Sequence, residues 1–514
     1  MKRIDVLPDD VLLGLFKFYV DMSPSHGGKI KSRIEAWQSL VHVCRRWRSL
    51  VFASPRHLNL QLYCTPKTPA RKTLDVWPAL PLIVSVGTTT SSGTNNVIAT
   101  LGQHNRVCQV DLHPTRWDFW KMKAVLGAMQ VPFPELTDLR LSSRWHWNID
   151  NINTNPASRV PAIPDSFLGG SAPRLQNFTL EDLPLRGLPN LLSSANNLVR
   201  LRLVDIPYYE FISPEAMSAC LSVLSSLRIL CLKFATLAVL SAFAWESQVP
   251  PPKCSILPAL DNFCFRGTFR YLEKLVTFIN APQLNEMRIS SLSQLNFDCA
   301  RLAQFINRTP ILRACDKARV KFGHLYTSVT LLAQGSTTLE IEILSTVPHW
   351  QVLSAAEVCY SFLHPFSESE SAVKILYIKY NYSYWDEDRI ENTRWLQILL
   401  PFTAVRNIYL SKEFAPGIMA ALQEFRVVGG RTTEALPSLQ NVFVEGFEPL
   451  GPFQDYIGQF VAARQLSGRP VAVFIRNQLV WDYEEEERES ASSCMHPTLA
   501  SIGRETDKVA CAQR

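Results

Sequence analysis

A six-residue pattern recurs along this chain: an apolar residue, two variable ones, an apolar residue, one variable, an apolar residue. It stands at Val107/Val110/Leu112, Leu136/Leu139/Leu141, Leu175/Phe178/Leu180, Leu198/Leu201/Leu203, Leu227/Leu230/Leu232, Leu260/Phe263/Phe265 and Leu284/Met287/Ile289. It returns at Val373/Leu376/Ile378, Val405/Ile408/Leu410 and Leu439/Val442/Val444. Successive starts lie 29, 39, 23, 29, 33 and 24 residues apart, then 89, 32 and 34. Apolar residues alternating over so short a span fit a strand that buries one face. The gap of 89 has room for two degenerate copies at the same mean spacing, near Leu312 and Thr338. In five copies a proline stands two residues before the first apolar position: Pro134, Pro173, Pro258, Pro282 and Pro437.

Between the strand-like pieces lie stretches of helical period. Leu272, Leu275, Val276 and Ile279 fall on one helix face, as do Leu302, Phe305 and Ile306, and Trp395, Leu396, Leu399 and Leu400. A short strand followed by a helix about every thirty residues is the unit of a leucine-rich-repeat-like solenoid. One unit cannot bury its apolar face alone, so neighbours stack into a continuous core. The fold class is therefore α/β: a short all-helical N-terminal module over 1–55, then an irregular solenoid over 75–478, with parallel strands on the concave face and helices outside. The array is expected to close with a helix from about Gln454 to Leu466, Gly468 as its C-cap, and a last strand from Val471 to Ile475. Thr88 to Asn96 reads as a flexible loop, and residues 479–514, with Glu484–Glu487 and many serines, as a disordered polar tail.

If positions 1, 4 and 6 of each motif face the core, positions 3 and 5 face the concave side. Early and middle strands then present arginines (Arg140, Arg200, Arg202), and late strands present aromatic rings (Tyr377, Tyr409, Phe443). Such a surface suits a protein partner that lays an acidic or phosphorylated segment on the arginines and apolar anchors on the rings.

The first fifty residues follow a different rule. Pro8 suits a first helical position, and Asp9 and Asp10 suit the positive end of a helix dipole. Val11, Leu12, Leu15, Phe16 and Tyr19 follow at helical spacing, Asp21 to Gly28 reads as a loop, and a second helix is expected from Ile34 to Phe52. So much apolar surface on so small a module either packs on the rest of the chain or marks a partner site. The run Leu7-Pro8-Asp9-Asp10-Val11-Leu12 through Phe16, then Val43-Cys44-Arg45-Arg46-Trp47, resembles the F-box, over residues about 4 to 55. The segment from Asp21 to Ala36 is longer than the usual link between its halves. That resemblance implies docking on a Skp-type adaptor, and through it a cullin, by Leu7, Pro8, Val11, Leu12, Leu15, Phe16, Val43, Cys44 and Trp47. With phrases such as LLSSANNLVRLRLVDIP and WLQILLPFTAVRNIYLS, the chain is similar to a large group of F-box proteins of mushroom-forming fungi. The implied role is a substrate receptor of an SCF-type ubiquitin ligase, with a ligase-independent interaction scaffold as the alternative.

Composition narrows the rest. Apolar residues make up 47% and charged residues 19%, and the net charge of +6 forms no basic block, so neither a nucleic-acid nor a membrane partner is expected. No apolar run approaches the roughly 18–20 residues of a membrane span, and the start of the chain does not read as a signal peptide. A cytoplasmic or nuclear location follows as an expectation. The twelve cysteines are scattered singly and suit buried or groove-lining thiols in a reducing compartment. No catalytic fingerprint is present, so neither enzymatic activity nor a cofactor is expected. The acidic run Asp386-Glu387-Asp388 reads as a solvated loop and not as a metal site.

Overall fold

The structure is a computed structural model. It describes residues 7–22, 36–55, 57–87, 93–113, 119–143, 161–184, 187–206, 212–235, 254–292, 300–309, 315–333, 336–345, 348–363, 373–380, 391–423, 426–428, 431–433, 435–445 and 453–476. Among them sixteen strands form one sheet. In chain order these are β1 (Leu62–Cys64), β2 (Leu82–Val86), β3 (Val107–Leu112), β4 (Asp138–Ser142), β5 (Asn177–Glu181), β6 (Arg200–Ile206), β7 (Ile229–Phe234) and β8 (Asn262–Gly267). They continue as β9 (Glu286–Leu292), β10 (Lys317–Phe322), β11 (Tyr326–Ala333), β12 (Ser336–Leu344), β13 (Ile375–Tyr380), β14 (Asn407–Ser411), β15 (Asn441–Glu445) and β16 (Ala472–Arg476). Neighbours are parallel throughout, except where β11 pairs antiparallel with β10 and β12.

The repeated motif accounts for ten of the parallel strands, β3 to β9 and β13 to β15. The apolar residues at positions 1, 4 and 6 of all ten copies are buried, so one strand face and the residue ahead of it supply the core. Position 1 is fixed by a recurring turn. The N–H groups of Leu136, Leu175, Leu260, Leu284 and Leu439 donate to the carbonyls three residues earlier, at Phe133, Ala172, Leu257, Ala281 and Leu436. The recurring proline occupies the second residue of this turn, where its fixed φ is already the one required. Leu198, Leu227 and Val405 make the same bond without proline. The turn's first residue is buried in every one of these copies, so each repeat inserts one more apolar side chain beneath the sheet.

Helices run back along the other side, among them Phe269–Phe278, Ala300–Arg308, Asn392–Leu399 and Ala415–Gln423. Leu272, Leu275 and Val276 are buried on the first of these, Leu302, Phe305 and Ile306 on the second, and Trp395, Leu396 and Leu399 on the third. Ile279 is buried too, but it leaves its helix to pair with Ser255 in a two-residue strand. Leu400 stands at the C-cap of its helix. The closing helix spans Phe453–Leu466. Gly468 follows at φ +73°, the left-handed conformation of a helix C-cap, with Arg469 N–H donating to the Arg464 carbonyl at 3.0 Å. The parallel sheet with helices behind it, built from copies of one strand–turn–helix unit, is a leucine-rich-repeat-like solenoid.

Three expectations change here. The gap in the repeat does hold two strands in the common direction, β10 and β12, but they are joined through the reversed β11 and their order in the sheet is exchanged. The sheet runs β9, β12, β11, β10, β13. Buried Gln351 secures this meander by donating to the carbonyls of Gly323 at 2.8 Å and Ser345 at 2.7 Å. The sheet also opens at Leu62, ahead of the expected start of the solenoid at 75. Thr94–Leu101 is a helix, so the last residues of the expected Thr88–Asn96 loop are helical. Residues 88–92, the expected copy at Leu312, the run 386–388 and the tail 479–514 lie outside the described residues.

At the N-terminus α1 spans Asp9–Met22, so Asp21 lies in the last turn of a helix and not in a loop, and 23–28 are not among the described residues. Pro8 is the N-cap and not the first helical residue: its carbonyl accepts from Leu12 N–H at 3.0 Å. The single second helix expected from Ile34 to Phe52 is broken. Residues 36–41 are helical, and α2 spans Arg45–Ala53. Extended Cys44 (φ −158°, ψ 170°) separates them, and its sulfur accepts from Trp47 N–H at 3.4 Å. Arg48 makes the break tolerable by donating to the carbonyl of Val41 at 3.0 Å.

Candidate functional site

Two surfaces contain the residues singled out in the sequence. The first is α1 with the turn before α2. Leu12, Phe16 and Val20 point inward and are buried, and the Phe16 ring lies 4.7 Å from that of half-buried Trp47. Trp37 continues this packing into the solenoid through edge contacts with Phe52 and Trp77, and its indole N–H donates to the Gln61 carbonyl at 3.2 Å. The N-terminal helices therefore share one core with the array. Leu7 is half-buried, while Pro8 is exposed. Arg46 binds the two halves together by donating to the Leu7 carbonyl at 2.6 Å and to Asp9 at 2.7 Å.

Among the described residues, the other side of α1 has no such packing partner. Val11 and Leu15 are 43% and 50% exposed, Phe18 and Tyr19 lie one turn further along and are likewise exposed, and Val43 is 59% exposed. Spacings of three and four residues put Val11, Leu15, Phe18 and Tyr19 on one stripe. A helix with its apolar core stripe buried and a second apolar stripe facing solvent is built to be covered. The nine candidate residues thus divide. Pro8, Val11, Leu15 and Val43 face out, Leu12 and Phe16 hold the fold, and Leu7, Cys44 and Trp47 lie between. Phe18 and Tyr19 join the outward group. Phe18 was legible in the same helical spacing but was not selected.

The second surface is the concave face of the sheet, where strand register puts position 5 of each motif in a single row. From β3 to β9 the row reads Asp111, Arg140, Thr179, Arg202, Cys231, Cys264, Arg288. Across the meander it reads Glu340, Thr330 and Arg319, and then Tyr377, Tyr409, Phe443 and Phe474. Arg140 and Arg202 therefore flank Thr179, while Arg200 lies in the adjacent row beside Asn177. That second row also holds paired amides and acids, in which Asn177 donates to Asp138 at 2.6 Å, Asn262 to Glu286, and Asn441 to Asn407 at 2.8 Å.

The aromatic end is a continuous stack. Ring centroids are 4.8 Å apart for Tyr377–Tyr409, 4.5 Å for Tyr409–Phe443 and 5.0 Å for Phe443–Phe474, with interplanar angles of 23°, 10° and 15°. The spacing is that of neighbouring strands, so the ring faces cover one another and their edges look out from the sheet. Phe474 ends the stack; its strand has Pro470 where the motif has its first apolar residue, so the pattern does not mark it. Seven strand steps separate Arg202 from Tyr377 in the sheet order, about 34 Å at ~4.8 Å per step.

Charge on this face is not uniformly basic. Arg288 donates to Glu286 at 2.5 Å and stands 4.0 Å from Glu340. On β12, burial and then the neighbouring Glu340 push the Glu342 carboxyl up to about 7, against the opposing pull of Arg266, Lys233 and Lys321. Among the described residues no three His, Cys, Asp or Glu side chains are grouped to hold a metal ion. No helix among them is long and apolar enough to cross a membrane.

No family model matches the chain, and no curated protein matches it. Among solved structures it is similar to the leucine-rich repeat-containing protein LegL7 from Legionella pneumophila, at 14% identity and a TM-score of 0.26, over 70% of this chain and 97% of that one. The solenoid assignment made above rests on strand order, register and the repeated turn.

Proposed function

We propose that the chain is the substrate-recognition subunit of a Skp–cullin–F-box-type ubiquitin ligase. The outward stripe of α1 with Pro8 and Val43 docks the Skp-type adaptor, and the concave face holds a target protein. One observation carries this reading. The residues whose pattern resembles an F-box split into a buried set that anchors the helices and an exposed apolar set left for a partner. The solenoid supports the second half, because a long open sheet face with one basic and one aromatic region suits a protein ligand better than a small molecule. Such a subunit contributes proximity and orientation. Arg140, Arg200 and Arg202 receive an acidic or phosphorylated segment of the target, and the Tyr377, Tyr409 and Phe443 edges receive its apolar anchors about 34 Å away.

The test is reconstitution from purified components. The chain, a Skp-type adaptor and a cullin are expected to co-elute, and the Val11→Ala/Leu15→Ala variant, changed only on the outward stripe, to elute alone with an unchanged thermal transition. A wild-type chain that never retains adaptor overturns the reading. On the target side, Arg200→Glu/Arg202→Glu is expected to abolish capture of an acidic or phosphorylated target peptide, and undiminished capture removes the basic end from the site.

A further inference from the structure

The middle of the concave row contains a chemistry that adaptor docking does not use. Cys231 on β7 and Cys264 on β8 are direct partners in the parallel register, so their Cα atoms are one strand spacing apart, about 4.8 Å. That falls within the range a disulfide spans, roughly 4.4–6.8 Å. Both side chains leave the same face of the sheet, so the two thiols stand side by side. Cys231 is buried and Cys264 is half-buried, so small solutes reach the second first. On either side, one strand further along the same row, stand Arg202 and Arg288.

We infer that Cys231 and Cys264 form a redox-modification site on the concave face, in which Cys264 attacks a hydroperoxide and Cys231 resolves the product as a disulfide. The electrostatics suit these roles. The Cys231 hydrogen bond, then Lys233, Arg288 and Arg202, lower the Cys264 thiol against the effect of burial, while the Cys264 hydrogen bond and burial raise Cys231. In the first step the Cys264 thiolate sulfur bonds to one peroxide oxygen and the O–O bond breaks. The other oxygen leaves as hydroxide, giving a sulfenic acid. In the second step the Cys231 sulfur displaces the sulfenic oxygen, which leaves as water with the Cys231 proton. Two thiols and one hydrogen peroxide thus give one disulfide and two waters. The cross-link ties β7 to β8 and removes the thiolate charge from between two arginines.

This site is independent of adaptor docking and is tested without it. The folded full chain is treated at pH 7 with one equivalent of hydrogen peroxide, blocked with N-ethylmaleimide, digested and mapped by mass spectrometry. The expected product is a linked Cys231–Cys264 peptide that forms faster than oxidation of exposed Cys254, because the thiol pair holds a resolving partner in place. In Cys231→Ser the resolving thiol is gone, so dimedone traps Cys264 as its sulfenic acid. In Cys264→Ser, Cys231 remains a free thiol. The inference is overturned if no linked peptide forms, if Cys264 is oxidised no faster than Cys254, or if dimedone labels nothing in a folded Cys231→Ser chain.

Discussion

Replacing Phe443 with leucine removes the middle of the aromatic stack while keeping an apolar side chain of similar burial. Phe443 is stacked on both sides, against Tyr409 at 4.5 Å and Phe474 at 5.0 Å. Each such pair contributes about 0.5–1.5 kcal/mol beyond its area, so Phe443→Leu is expected to cost about 1–3 kcal/mol. Phe474→Leu breaks one stacked pair, at a ring that is 44% exposed, and is expected to cost about half as much. A repeat array of this length need not unfold in one step, so the local opening free energy is the quantity to measure. Amide hydrogen exchange at Asn441–Glu445 and Ala472–Arg476 reports it directly. At about 1.4 kcal/mol per tenfold, Phe443→Leu accelerates exchange there roughly 5- to 150-fold, and Phe474→Leu by no more than about tenfold. Exchange at β2 to β5 stays unchanged in both. Equal acceleration by the two variants, or an equal effect at β2 to β5, refutes the stack as a local element of stability.

Three further outcomes are expected. Phe16→Ala, at a buried ring packed on Trp47, destabilises by about 3–5 kcal/mol, whereas Leu15→Ala on the outward stripe changes stability by less than about 0.5 kcal/mol; urea titration followed by tryptophan fluorescence distinguishes them. Arg46→Gln removes the donor shared by the Leu7 carbonyl and Asp9; because both side chains are well exposed, the loss is about 1 kcal/mol, seen as faster exchange confined to α1. Glu342 has a folded-state pKa raised to about 7, so the folded chain binds more protons than the unfolded one between the ordinary carboxyl range and pH 7. Stability therefore falls as pH rises through that window. Glu342→Gln flattens this dependence, read from the thermal midpoint between pH 5 and 8.

Most of the solenoid was legible because its signal is local. Alternation at positions 1, 4 and 6 needs no knowledge of the partner strand, and all ten copies face inward. The proline two residues ahead marks a turn whose hydrogen bond then appears in copy after copy. Sheet order carries no such mark. Ala318, Val320 and Phe322 on β10 and Leu339, Ile341 and Ile343 on β12 are buried alternately like any other strand, and nothing in that alternation says that the chain turns back through β11 between them. The break at Cys44 was hidden for a related reason, since the helices on both sides keep their apolar residues inward and a cysteine is not a usual N-cap. On α1, periodicity found the apolar residues but could not divide Leu12 and Phe16 from Val11 and Leu15. Only packing on Trp47 and on the array does that. The Cys231–Cys264 pair lay in plain sight at position 5 of successive motifs, but their contact depends on the register between two strands.

Whether the outward stripe of α1 docks the proposed adaptor is decided by one dissociation constant. The purified full chain and its Val11→Asp/Leu15→Asp variant are titrated with a purified Skp-type adaptor by isothermal calorimetry. Covering the exposed halves of the two side chains is worth about 1 kcal/mol each, and a carboxylate at either position adds a desolvation cost. The variant is predicted to bind at least about 100-fold more weakly, with an unchanged thermal transition. Equal affinity of the two proteins for the adaptor rules out the stripe as the docking face.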